Sequence, residues 1–320
     1  MKLVLALVFA LLSPLALAQG YPAKPLKMVI PWPPGGGNDI LGRLLADALA
    51  GPLGQTVVVD NRGGANGLIG AEAVAKSPAD GYTIMFHSVT THLINASFYS
   101  KVPYDTLGDF APVSLIGEAG HVLVAHPAFP AKSVRELVAL AQATPGKISY
   151  ASFGAGSSSH LSGALFDSLL NVKMVHVPYK GSGPAMTDTM AGHVPLFYPT
   201  VAGALGAIKS GKVRPLAVTT SSRSKLLPDV PTMDEAAGTR GYETSVMYGV
   251  WAPARTPGAE VARLNAEIVK LLREPGFVKV LEERGLDSVT AGTPGEMETY
   301  LRGQLPKWAR MVKDSGAHGE

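Results

Sequence analysis

Pro31-Trp32-Pro33-Pro34-Gly35-Gly36-Gly37-Asn38-Asp39-Ile40-Leu41-Gly42-Arg43 constrains this chain more than any other stretch. Lys27 to Trp32 has the apolar content of a short buried strand and the prolines and glycines make a tight loop. Ile40, Leu41, Leu44, Leu45, Ala48 and Leu49 then repeat at helical spacing. The first turn of a helix carries N–H groups without intrahelical partners, and a loop lacking Cβ atoms lets a ligand approach them. Such a place suits an anion. A single loop of this kind is equally a turn in which Asn38 or Asp39 caps the helix. The plan recurs, however, at Asn61-Arg62-Gly63-Gly64-Ala65-Asn66-Gly67, at Gly154-Ala155-Gly156-Ser157-Ser158-Ser159-His160 and at Pro178-Tyr179-Lys180-Gly181-Ser182-Gly183-Pro184.

Strands alternating with helices predict an α/β fold with parallel-rich sheets covered on both faces. Gln55 to Asp60 and Tyr82 to Phe86 read as strands, the latter ending at His87-Ser88, with a helix from Leu68 to Lys76 between them. Thr90 to Pro112 reads as irregular. His121 to His126 is a strand that crosses between lobes, and Ser133 with Glu136 has the spacing of a capping box that opens a helix ending at Thr144. Lys147 to Phe153 and Lys173 to Val177 are strands. The helix between them places Leu161, Leu165, Phe166 and Leu169 on one face, and Ala185 to Ala191 is the helix after the fourth loop. Val194 to Tyr198 and Val213 to Thr219 follow as strands around a helix at Gly203 to Lys209, and Glu243 to Trp251 returns to the first lobe. Two helices finish the chain, Glu260 to Arg273 and one from near Pro294 that contains Trp308. At 320 residues two lobes are expected, 20–121 with 249–320 and 122–248, joined by two crossing strands that make a hinge.

Lys2, the apolar run Leu3 to Leu12, Ser13-Pro14 and Ala16-Leu17-Ala18 have the layout of a secretory signal peptide, residues 1–18, cleaved after Ala18. The chain has no cysteine, hence no disulfide, no thiolate nucleophile and no lipidated anchor cysteine, and the expected location is the periplasm. A formal charge of +3 from 28 basic and 25 acidic residues is too small and dispersed for a nucleic-acid footprint.

Several catalytic signatures are nearly present and fail. Gly206 to Lys212 has phosphate-loop spacing, but Val213 stands where Ser or Thr must hold magnesium, and Ser159 replaces the third glycine of a dinucleotide fingerprint. The eight histidines lack metal spacing, and no cofactor or metal is expected. The Ser157–His160 loop leaves a secreted hydrolase as the alternative, although three serines at a helix start suit caps and anion donors. Asp39, Arg43 and Asp47, four apart, predict an ion-pair ladder on the first helix.

Tyr21-Pro22-x-Lys24-Pro25, Pro34-Gly35-Gly36-x-x-Asp39 with Arg43, Asn61-Arg62 with Gly64 and Gly67, Asp80-Gly81-Tyr82-Thr83, Val177-Pro178-Tyr179-Lys180-Gly181 and Leu227-Pro228-Asp229-Val230-Pro231-Thr232 occur in this order. The set closely resembles the Bug family, the periplasmic solute receptors of tripartite tricarboxylate transporters. That resemblance implies a two-lobed venus-flytrap periplasmic-binding-protein fold, no catalysis and capture of a small carboxylate (a di- or tricarboxylate, acidic amino acid or aromatic acid). The receptor would be a monomer that serves membrane transporter subunits or a sensor protein.

By the resemblance, Gly35, Gly36, Asp39 and Gly67 hold a ligand carboxylate through backbone amides and bridging waters, while Ser157, Ser158 and Tyr179 set which ligand is accepted. Trp32, Gly37, Ser88, Thr90, Gly156, His160, Lys180 and Gly181 complete the candidate ligand-binding set. On this view Asp39→Ala weakens binding and Ser157→Ala shifts ligand preference. Two positions depart from the family pattern. Gly63 stands where proline is usual and loosens the second loop, and Pro195 stands where aspartate is common and marks a strand edge or start.

Overall fold

The computed structural model describes residues 20–315; the signal-peptide expectation for 1–18 lies outside them. Two sheets make two lobes. The first orders β11-β4-β10-β3-β1-β2, from β1 (Leu26–Ile30), β2 (Val57–Asn61), β3 (Thr83–Ser88), β4 (Phe110–Gly120), β10 (Ser245–Pro253) and β11 (Ser288–Val289). The second orders β7-β6-β8-β5-β9, from β5 (Val122–Ala125), β6 (Ser149–Ser152), β7 (Val175–Pro178), β8 (Leu196–Phe197) and β9 (Arg214–Val218). The chain leaves the first sheet at Gly120 and rejoins it opposite that residue at Ser245.

The expected alternation of strand and helix holds, but parallel pairing is confined to β1 with β2 and β3, and to β6 with β7 and β8. The segments that cross between lobes impose the rest: β4 and β10 pair antiparallel, as do β10 with β3 and β5 with β8 and β9. Pro195 directly precedes the central strand β8, where a missing N–H costs no ladder bond, so it marks a strand start and not an edge.

The helices are α1 (Gly37–Leu53), α2 (Leu68–Ala75), α3 (Val89–Phe98), α4 (Val134–Ala143), α5 (Ser158–Leu170), α6 (Ser182–Met190), α7 (Val201–Lys209), α8 (Met233–Ala237), α9 (Gly258–Arg273), α10 (Pro275–Glu283) and α11 (Pro294–Ser315). Period-two alternation explains how β1 is buried twice: Leu26, Met28 and Ile30 join one core with Leu41, Leu45 and Leu264, whereas Val29 joins another with Leu93, Trp251 and Trp308. Val261, Leu264, Ile268 and Leu271 of α9 are buried as expected. Two of the sequence expectations fail here: Thr90 to Pro112 is not irregular but holds α3, and α10 adds a third helix to the final pair. Among the described residues no helix is long and apolar enough to cross a membrane.

Candidate functional site

The glycine loops of one lobe face those of the other. A Cβ on Gly181 would lie 2.8 Å from Pro33 Cγ, one on Gly36 would lie 3.2 Å from Ser182 Cβ, and one on Gly154 would lie 3.1 Å from Asn66 Oδ1. Missing side chains therefore let the lobes close to backbone contact. Trp32 of the first lobe meets Phe153 of the second edge to face, with centroids 5.4 Å apart.

Between them lies an inner cavity of about 20 Å³, room for one water, walled by Trp32, Gly36, Gly37, Asn38, Ser88, Phe153, Ser182 and Thr200 among others. Four helices begin on this wall: α1 at Gly37, α3 after Ser88, α6 at Ser182 and α7 after Thr200. The side chains of Ser88 and Thr200 cap theirs by accepting from Thr91 N and Gly203 N, while α1 and α6 have no side-chain cap. Their first-turn amides are the free donors of the site. No lining side chain is charged. The local field is therefore set by four amide dipoles, two from each lobe, with their positive ends together.

Trp32 and Phe153 also wall an outer chamber of about 300 Å³, completed by Asn66, Tyr99, Tyr179 and Lys180. Trp32 is held by its Nε1–H donating to His87 Nδ1 at 3.0 Å. Complete burial pushes the His87 pKa well below its ordinary value, so the ring stays neutral and keeps that acceptor.

Asp39 has a different role from the one expected. Its carboxylate is buried and accepts from Gly35 N at 3.0 Å, Arg43 Nε at 2.9 Å and Asn61 Nδ2 at 2.9 Å, while Arg43 also donates to Asn61 Oδ1. It braces the first loop against β2 and does not touch the ligand space. The expected ladder stops at this pair, since Asp47 forms no ion pair among the described residues. Asp39→Ala removes the carboxylate shared by the Gly35 N–H, Arg43 and the Asn61 amide, which keeps only Trp32 O as acceptor, and we expect it to lower stability by about 1–2 kcal/mol in urea denaturation, with weaker ligand binding as a consequence of the loosened loop.

Other expected contacts are turned inward. The Gly35 N–H is taken by Asp39, the Gly67 N–H by Gly64 O at 3.0 Å, and the Gly156 N–H by His160 Nδ1 at 3.1 Å. Gly67 packs on His87, and Thr90 Oγ1 accepts from Met247 N, tying α3 to β10. Ser157 caps α5 by accepting from His160 N and donates to Gly154 O at 2.6 Å, and Ser158 Oγ pairs with His121 Nε2 at 3.0 Å. These serines hold the third loop together, so the expected shift of ligand preference in Ser157→Ala has no contact behind it. Gly181 packs on Pro33 with φ +120°, a conformation that favours glycine, and donates to Phe153 O. Of the expected set, Trp32, Gly36, Gly37 and Ser88 reach the inner cavity, and Tyr179 and Lys180 reach the outer chamber. Asn38, Asn66, Tyr99, Phe153, Ser182 and Thr200 are additions. Ser182 lay inside the fourth loop and Thr200 precedes an apolar helix as a cap residue, whereas Tyr99 and Phe153 meet the site only through tertiary contact.

Nor does the third loop assemble a hydrolytic centre. The His160 ring stacks on His176 at 3.8 Å and accepts from Gly156 N, and the Ser159 hydroxyl donates to Tyr198 O. Ser158 with His121 and Ser152 with His176 do form hydroxyl–imidazole pairs, but no carboxylate orients either ring among the described residues. Nor does any group of three His, Asp or Glu side chains there have the arrangement of a metal site.

Two hinged lobes closing on converging helix starts define a solute-binding protein of the periplasmic-binding type. Residues 41–317 match the tripartite tricarboxylate transporter family receptor (TctC), and the chain belongs to that family. BugT of Bordetella pertussis is 38% identical over 301 residues, 94% of this chain and 92% of that protein. The structure of Rpa4515 of R. palustris with adipate superposes with TM-score 0.90 at 35% identity, over 93% of this chain and 99% of that one. MatC of Rhodopseudomonas palustris with bound malate gives 0.83 at 29% identity, over 91% and 100%. The family is one of binding receptors, and this chain is a binding protein, not an enzyme.

Proposed function

We propose that this chain is a periplasmic receptor that captures a small carboxylate between its lobes and presents it to a tripartite tricarboxylate-type transporter or a sensor. The observation that carries the reading is the set of four helix starts, two per lobe, around a cavity without a charged side chain. Charge-assisted hydrogen bonds of about 1.5–3 kcal/mol each make a few such amides enough for micromolar affinity, roughly 8 kcal/mol. Because donors come from residues 20–121 and from 122–248, both lobes must close for the grip to form. The relatives solved with adipate and malate support a carboxylate, and the secretory layout of residues 1–18 supports the periplasm.

Adipate or malate at about a hundred times its dissociation constant should raise the melting temperature by about 5 °C or more. A nitrophenyl ester should remain unconsumed under the same conditions. A flat response across a panel of organic acids, or steady ester turnover, sinks the proposal.

A further inference from the structure

The outer chamber has a wall that an all-aliphatic diacid would leave unused. Trp32, Phe153, Tyr99 and Tyr179 give it four aromatic faces or edges, and about 300 Å³ is at the lower end of small-molecule pockets. Asn66 sits on the same wall, 7% exposed and in the left-handed region at φ 54°, ψ 37°. Its amide orientation is fixed, because Asn66 Nδ2 donates to Asn95 Oδ1 at 2.8 Å while Asn95 Nδ2 donates to Asn66 O at 3.0 Å. The remaining atom, Asn66 Oδ1, faces Gly154 across the cleft, is buried and has no hydrogen-bond partner. A buried acceptor left without a donor is costly, and a ligand that supplies one recovers that cost.

We propose that the ligand is an aromatic carboxylate bearing a hydroxyl donor, bound with the lobes slightly further apart than here so that the Trp32–Phe153 and Asn66–Gly154 contacts open: the carboxylate meets the helix starts of the inner cavity, the ring takes the space opened between Trp32 and Phe153, and the hydroxyl donates to Asn66 Oδ1. This rests on the carboxylate-receptor reading above and adds the ring and the donor to it. Asn66 is then a specificity-determining residue, and Asn95 the residue that aims it.

Calorimetry on the mature protein with 3- and 4-hydroxybenzoate, benzoate, 4-methoxybenzoate and adipate tests it. One hydroxybenzoate isomer should bind about tenfold more tightly than benzoate or the methoxy analogue, which keeps the oxygen but lacks the donor. Asn66→Gly keeps the positive φ and removes the acceptor, so in that variant the hydroxybenzoate should bind no more tightly than benzoate. Equal affinities for the aromatic acids in the unmodified protein overturn the proposal, as does a ratio that survives Asn66→Gly. If adipate binds and no aromatic acid does, this inference falls and the receptor reading stands; if none of the five binds, the receptor reading itself has failed for these acids.

Discussion

Gly37→Ala should weaken carboxylate binding by about tenfold and shift the protein toward the open form in solution scattering. Gly37 is the first residue of α1, and a Cβ there would lie 2.6 Å from Thr200 Oγ1 and 2.9 Å from the Tyr248 hydroxyl. Neither neighbour gives way cheaply. Thr200 Oγ1 caps α7 by accepting from Gly203 N, and Tyr248 is fully buried and stacked on Phe86. Overpacking of this kind costs about 1–3 kcal/mol, and the Thr200 part of it arises only when the second lobe arrives. Binding energy must then be spent on the clash before the amides of the two lobes can meet on the ligand. Gly37→Ala with Thr200→Ala removes the closer contact and should recover most of the affinity. Unchanged calorimetric affinity in the single variant would mean that ligand is held without the closure described here.

The helix-start geometry behind this was partly legible in the sequence, and the limits have physical causes. β1, α1 and α9 announced themselves because Met28 and Ile30, Leu41 and Leu45, and Leu264 and Ile268 repeat at the period of their element. α3 did not. Val89-Thr90-Thr91-His92 are poor helix formers, and the helix is buried on nearly every side, packed along α11, so it shows no apolar stripe. The glycine loops gave the site its place, but not its contacts. A serine at a helix start looks the same whether its hydroxyl meets a ligand or the N–H three residues on, and Ser157 does the latter. Phe153 and Thr200 join the site only because the second lobe folds over the first, which no local pattern encodes.

Acid should unfold this protein steeply, and the histidines are the reason. Burial lowers His92 and His160 to about 4 and His121 and His176 to about 3, all from 6.5, and pushes His87 well below that value, with His92 adding to the effect on His87 and His160 to that on His176. Between about pH 6.5 and 4 the unfolded chain protonates these rings and the folded chain does not. The stability they carry is therefore complete above 6.5 and is lost as pH falls toward the folded-state values. Two carboxyls act the other way: burial raises Asp167 to about 6 and raises Asp287, so the folded chain holds their protons in part of the same window. Five rings against two carboxyls leave roughly three protons of difference, or about 4 kcal/mol per pH unit. That is a large part of a total stability of about 5–15 kcal/mol. Urea midpoints should fall sharply between pH 6 and 4.5, and His160→Gln, which removes one buried ring, should reduce the slope by about one proton. Stability that stays level from pH 7 to 4.5 would show that these imidazoles protonate freely in the folded protein.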